Sequence, residues 1–144
     1  YMGTFNGNGK VVTISETSAK FTYAYTANSN TPMSDSFYAG IAGFVGSTGV
    51  IENVIIESKN SNFTVTGTSN PCYAFGAVCY GNQGIIRNCE NRVNAEIYTA
   101  GNVGGICTEN YGTVINCINK GNLKITHNGL SWGGIWQMIG GIAA

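Results

Sequence analysis

The stretch GGICTENYGTVINCINKGN, residues 104–122, has two earlier counterparts, and that repetition limits what the chain can fold into more than any other feature. GFVGSTGVIENVIIESKN (43–60), VCYGNQGIIRNCENRVN (78–94) and ICTENYGTVINCINKGN (106–122) share a glycine, three residues, an asparagine, and then Val or Cys. The asparagines are Asn53, Asn88 and Asn116, so the unit is about 30 residues long. A shorter element recurs upstream, as GIAG at 40–43, GAVC at 76–79, GGIC at 104–107 and GGIA at 140–143. Within each unit the apolar residues alternate with period two. NFTVTG (62–67), NAEIYT (94–99) and NLKITH (122–127) read as strands at equivalent places. No window of useful length reads as an amphipathic helix. Gly and Asn punctuate the strands and tolerate the left-handed backbone that tight bends need.

A unit with three short strands and three bends cannot bury its own apolar face, whereas stacked units can. The expected fold is therefore all-β: a right-handed parallel β-helix, or β-solenoid, of about four to five turns with negligible helix. One domain spans 1–144, with an opening strand and a long first-turn insertion over 1–38 and the repeats over 39–144. A sandwich of antiparallel hairpins does not explain motifs that recur at a fixed spacing. Equivalent residues should lie about 4.8 Å apart in columns. Ile51, Ile86 and Val114 form an inward column. Asn53, Asn88 and Asn116 form a bend column whose side-chain amides bond one another. Cys79 stacks with Cys107, and Cys89 with Cys117.

Composition removes several classes of function. Seven basic residues balance seven acidic ones, and charged residues make up 10% of the chain. That gives no electrostatic reason to expect nucleic acid as partner. An apolar fraction of 43% beside 21 glycines argues against a disordered tract. The most apolar stretch, WGGIWQMIGGIAA at 132–144, is too short to span a bilayer, so no membrane insertion is expected. YMGTFNGNGK has neither the basic start nor the apolar run of a signal peptide.

The quoted repeats and the GGIC and GGIA elements resemble the glycine-rich GLUG repeats of large bacterial surface proteins. GTFNGNGKVVTIS at 3–15 is similar to the segment that commonly opens such regions, where an Asp often stands in the place of Asn6. The resemblance covers 3–15 and about 40–144, but not 16–38. It implies a right-handed β-helix in an exported, adhesin-like protein located outside the cell or on its surface. It carries no catalytic residues to transfer.

Direct signs of chemistry are few. GNGK at 7–10 lacks the spacing and the following Ser or Thr of a phosphate loop, and reads as a plain turn. The five cysteines include Cys72, which has no equivalent, and none forms a CxxC pair. The stacked four are expected to be reduced thiols serving as small hydrophobes, with a disulfide as first alternative and a metal site as second. Asp35 is the only aspartate, His127 the only histidine, and the glutamates fall out of register with one another. No catalytic group, metal or cofactor is expected. Candidate contact residues are the aromatics Tyr23, Tyr25, Trp132 and Trp136. The reading is a non-catalytic structural and interaction segment of a surface protein, facing a glycan or a surface protein. Two alternatives stand: a subunit that self-associates head to tail into filaments, and a remnant or accessory domain of a glycan-active β-helix enzyme.

Overall fold

The computed structural model describes residues 1–15, 18–21, 36–60, 63–67, 73–98, 102–126 and 139–143. Among them every regular element is a strand. The chain passes repeatedly through four parallel sheets in a fixed order. The opening pass supplies β1 (Thr4–Ile14), β2 (Ser18–Phe21) and β3 (Ser36–Ala39). The second supplies β4 (Ala42–Val45), β5 (Val50–Ser58), β6 (Phe63–Gly67) and β7 (Tyr73–Gly76). The third supplies β8 (Cys79–Asn82), β9 (Ile85–Arg87), β10 (Glu90–Arg92), β11 (Ala95–Tyr98) and β12 (Val103–Gly104). The fourth supplies β13 (Cys107–Asn110), β14 (Thr113–Ile115), β15 (Ile118–Asn119), β16 (Leu123–Thr126) and β17 (Ile139–Gly140).

Each strand pairs in parallel with its counterpart in the next pass. Sheet A contains β1, β5, β9, β10, β14 and β15; sheet B contains β2, β6, β11 and β16; sheet C contains β3, β7, β12 and β17; sheet D contains β4, β8 and β13. A bridge from Cys107 to Ala143 continues sheet D. Every backbone donor along an inner strand can thus find an acceptor in a neighbouring pass, which is how strands of two to four residues persist here.

Three expectations are corrected by this register. A complete pass holds strands in four sheets, not three strands: the two-residue β12 is too short to show an alternating pattern, and Asn88 divides what would be one strand into β9 and β10. The upstream element is offset by one residue in its first copy. Ala42 pairs with Cys79 and Cys79 with Cys107, so AGIA at 39–42, not GIAG at 40–43, is the equivalent of GAVC. The stretch read as a first-turn insertion also supplies two strands of its own. Ser18–Phe21 lies in register with Thr64–Gly67, and Ser36–Ala39 with Tyr73–Gly76.

The core lies where the four sheets face one another. Phe5, Ile51, Ile86 and Val114 occupy one column, with Ile51 and Ile86 fully enclosed. Phe63 and Ala95 continue to Leu123, and Val65 and Ile97 to Ile125. Val78 and Ile106, both at zero exposure, are linked by the Val78 amide donating to the Ile106 carbonyl at 2.8 Å. The period-two pattern in the sequence is this inward and outward alternation.

Candidate functional site

The corners are built from asparagine. Asn53, Asn88 and Asn116 adopt φ of 54, 53 and 50°, a left-handed conformation that Asn tolerates better than most residues. Their amides form a chain with one polarity. Asn116 Nδ2 donates to Asn88 Oδ1 at 3.5 Å, Asn88 Nδ2 to Asn53 Oδ1 at 3.1 Å, and Asn53 Nδ2 to Asn6 Oδ1 at 3.2 Å. Asn6, which sequence reading did not include, is the base of the column. Two further columns run the opposite way. Asn82 Nδ2 donates to Asn110 Oδ1 and Asn91 Nδ2 to Asn119 Oδ1, both at 2.8 Å. Asn82 and Asn91 are fully buried. Each of the four also accepts from the backbone two residues on: Gly84, Gly112, Val93 and Gly121 donate to Asn82, Asn110, Asn91 and Asn119. These are Asx turns. The signal for three of them was present as Asn-x-Gly in NQG, NYG and NKG.

Replacing Asn88 separates the two roles of such a corner. Asn88→Ala places a Cβ-bearing residue without a polar side chain at φ 53° and removes both amide bonds. The expected loss is about 2 kcal/mol. Asn88→Gly removes the bonds but accepts the backbone, and should lose about 1 kcal/mol or less. Denaturant midpoints measure both, and equal losses would mean that the backbone conformation costs nothing.

The outer face of sheet A carries paired charges. Glu52 lies between Asn6 and Arg87 in neighbouring passes. It accepts from Asn6 Nδ2 at 2.8 Å and from the Arg87 guanidinium at 2.6 Å. Glu90 faces Arg92 and Lys120, whose hydrogen bonds hold its carboxyl below the ordinary range. On sheet B, Lys124 Nζ lies 2.7 Å from Glu96, whose carboxyl is lowered in the same way, with help from the Tyr98 hydroxyl. A carboxylate held ionised by a cation is a poor general acid near neutral pH. Because folding lowers these two pKa values, their contribution is complete above the ordinary carboxylate range and is lost as pH falls through it. The carboxylates are half-buried but their cationic partners Arg92, Lys120 and Lys124 are exposed, so salt should screen the pairs. A titration of unfolding midpoint from about pH 7 to 3 at low and high salt should show a decline that is smaller at high salt. Among the described residues no three His, Cys, Asp or Glu side chains are grouped to hold a metal.

Aromatic side chains stand on and beside sheet D. Phe44, Gly81 and Glu109 are aligned across three passes. The Phe44 ring lies over Gly81: a Cβ there would be 2.7 Å from Phe44 Cδ1. Phe44 meets Tyr80 edge-on, with centroids 5.2 Å apart, and the Tyr80 hydroxyl donates to Glu109 Oε1 at 2.9 Å. Phe44 is 56% exposed and Tyr111, just past β13, is 76% exposed. The sequence offered no sign that residues so far apart share a face. Tyr23, Tyr25, Trp132 and Trp136, together with Cys72 and His127, lie outside the described residues.

The remaining columns are the thiols. Cys79 and Cys107 are in register, and all four of Cys79, Cys89, Cys107 and Cys117 are free. Three are buried and Cys117 is only partly so, which departs from the expectation of a uniformly enclosed set. The hydrogen bond between Cys79 and Cys107, with burial, raises Cys79, while the same bond lowers Cys107. Cys89 is raised likewise by its bond to Cys117 and by burial. The chain matches no protein-family model, no curated protein and no solved structure.

Proposed function

We propose that the four sheets are the faces of one right-handed β-solenoid, of the kind the GLUG-like repeats imply, and that it serves as a non-catalytic segment of an exported, adhesin-like bacterial surface protein. The observation that carries this reading is the constant order of the sheets: sheets A, B and C each receive strands from four passes, with asparagines stacked at the corners. Such a body is stiffened along its stacking axis by backbone bonds and presents long faces sideways. Sheet D and the turn after it, with Phe44 and Tyr111 open and Glu109 aligned with Phe44 two passes on, have the groups that sugars use, an apolar ring face and a hydrogen-bonding carboxylate. The partner of that face is a neutral glycan on a surface glycoprotein. A mucin immobilised on a sensor should retain the chain, and the same mucin stripped of glycans should not. Phe44→Ala with Tyr111→Ala should weaken retention about tenfold or more, the loss of two aromatic contacts. Retention unaffected by stripping the glycans would refute the glycan partner.

A second reading, end-to-end assembly, is favoured by the open ends of the core columns. Val114, Leu123, Ile125 and Ile142 in the last pass, and Phe5 and Val12 in the first, are only partly covered. Their counterparts Ile86, Ile97 and Ile106 are at zero exposure. Head-to-tail stacking would cover them in a contact that does not close. Light scattering at rising concentration tests it: a mass that stays that of one chain at high micromolar concentration would exclude this reading.

A further inference from the structure

The thiols of the third and fourth passes are unlike in a way that gives them a use. Cys79, Cys89 and Cys107 have exposures of 0 to 1%, whereas Cys117 is partly open to solvent. Cys117 Sγ lies 3.4 Å from the Ile115 carbonyl and 3.8 Å from that of Ile86. Cys89 is its counterpart one pass below, where the Ile118 amide donates to the Cys89 carbonyl at 2.9 Å, and the Cys89 sulfur lies 3.3 Å from the Arg87 carbonyl. An accessible sulfur backed by a shielded one is the arrangement in which a sulfenic acid, once formed, meets a second thiol before further oxidant.

We propose that Cys117 is a hydroperoxide-reactive thiol and that Cys89 resolves its oxidised form as a reversible disulfide joining the third and fourth passes. In the first step the Cys117 thiolate attacks one oxygen of hydrogen peroxide. The O–O bond breaks, Cys117 becomes a sulfenic acid, and the departing hydroxide is protonated to water. In the second step the Cys89 sulfur attacks the Cys117 sulfur. The S–O bond breaks, and hydroxide leaves with the Cys89 proton as a second water. Two thiols are oxidised to one disulfide and one peroxide is reduced to two waters.

The position of the pair fits both steps. The neighbouring Cys89 thiol lowers the Cys117 thiol from its ordinary value, which favours its thiolate. Equivalent residues in adjacent passes lie about 4.8 Å apart, inside the Cα range of roughly 4.4–6.8 Å that a disulfide spans. Their Cα–Cβ bonds run nearly parallel, which strains the bridge, and a strained bridge is readily reduced. That suits a reversible modification rather than a permanent staple. Cys79 and Cys107 share the spacing, but neither is open to solvent, so they should stay reduced.

The test uses the full chain with Cys72→Ser, which leaves the four stacked thiols. In the native state iodoacetamide should modify Cys117 at least about tenfold faster than the other three, as accessibility and thiolate fraction require. Hydrogen peroxide should lower the mass by about 2 Da, for one disulfide mapped to Cys89 and Cys117 and reversed by dithiothreitol. Cys89→Ser should instead give a dimedone adduct on Cys117, and Cys117→Ser should give neither product. Should Cys89→Ser fail to fold by circular dichroism, Cys89→Val is the substitute, because Val54 fills the equivalent place one pass below. Equal labelling of the four thiols, a bridge between Cys79 and Cys107, or no dimedone adduct in the folded Cys89 variant would each overturn the proposal.

Discussion

Ile86→Asp is expected to abolish cooperative folding. Ile86 has zero exposure and sits between Ile51 below and Val114 above. The substitution removes the burial of a large aliphatic side chain, about 1.5–3 kcal/mol. It also places a carboxyl where its neighbours in register are aliphatic. Burying that group unpaired costs several kcal/mol more, whether it stays ionised or takes up a proton. The sum is comparable with the whole stability of a typical domain, about 5–15 kcal/mol. Circular dichroism should show loss of the strand signal, and denaturant melts should lose their sigmoid shape. Ile86→Val is the matched control and should cost only about 0.5–1.5 kcal/mol. An Ile86→Asp variant that melts cooperatively near the parent midpoint would mean that Ile86 is not in the column.

Gly104→Ala should be nearly as damaging, for a purely steric reason. Gly104 pairs with Gly76 and Gly140 in sheet C, where the chain bends sharply into sheet D. A Cβ at Gly104 would stand 1.8 Å from the Cys107 carbonyl oxygen and 2.7 Å from its carbon. Both are backbone atoms held in the ladder, so a side-chain rotation cannot relieve the overlap. The corner must open, with loss of the bonds from Ile106 and Cys107 to Ile142 and from Val78 and Cys79 to Ile106. A loss of about 3 kcal/mol or more is expected, at the upper end of overpacking effects. Gly141→Ala, where a Cβ meets nothing within 4 Å, should change little. Denaturant midpoints of the two variants measured side by side decide the matter. A tolerated Gly104→Ala would show that the corner is looser than its carbonyl positions imply.

These two substitutions also mark where the residues spoke for themselves. Ile51, Ile86 and Val114 could be assigned to one column because alternation shows which residues face inward, and the repeat shows which of them are equivalent. The same logic reached Asn53, Asn88 and Asn116, since an asparagine after a strand at fixed spacing marks a corner. It missed Asn82 with Asn110, and Asn91 with Asn119, because the second pass carries Val45 and Ile56 at those places, so no asparagine recurs there in every copy. It misplaced GIAG by one residue because Gly and Ala differ too little to fix an alignment that carbonyl-to-amide pairing fixes at once.

Strand periodicity, the absence of helix among the described residues and the stacking of equivalent residues follow from local chemistry: side-chain alternation, the backbone tolerance of Gly and Asn, and the inability of one unit to bury its own face. The sequence determined those. The division of a pass among four sheets, the meeting of Phe44 with Tyr80 and Glu109, the base of the amide column at Asn6, and the unequal exposure of Cys89 and Cys117 were decided only by the tertiary structure. Each depends on how far the chain turns at a corner and on what the next pass covers, and both are set by contacts between residues about 28 to 47 positions apart.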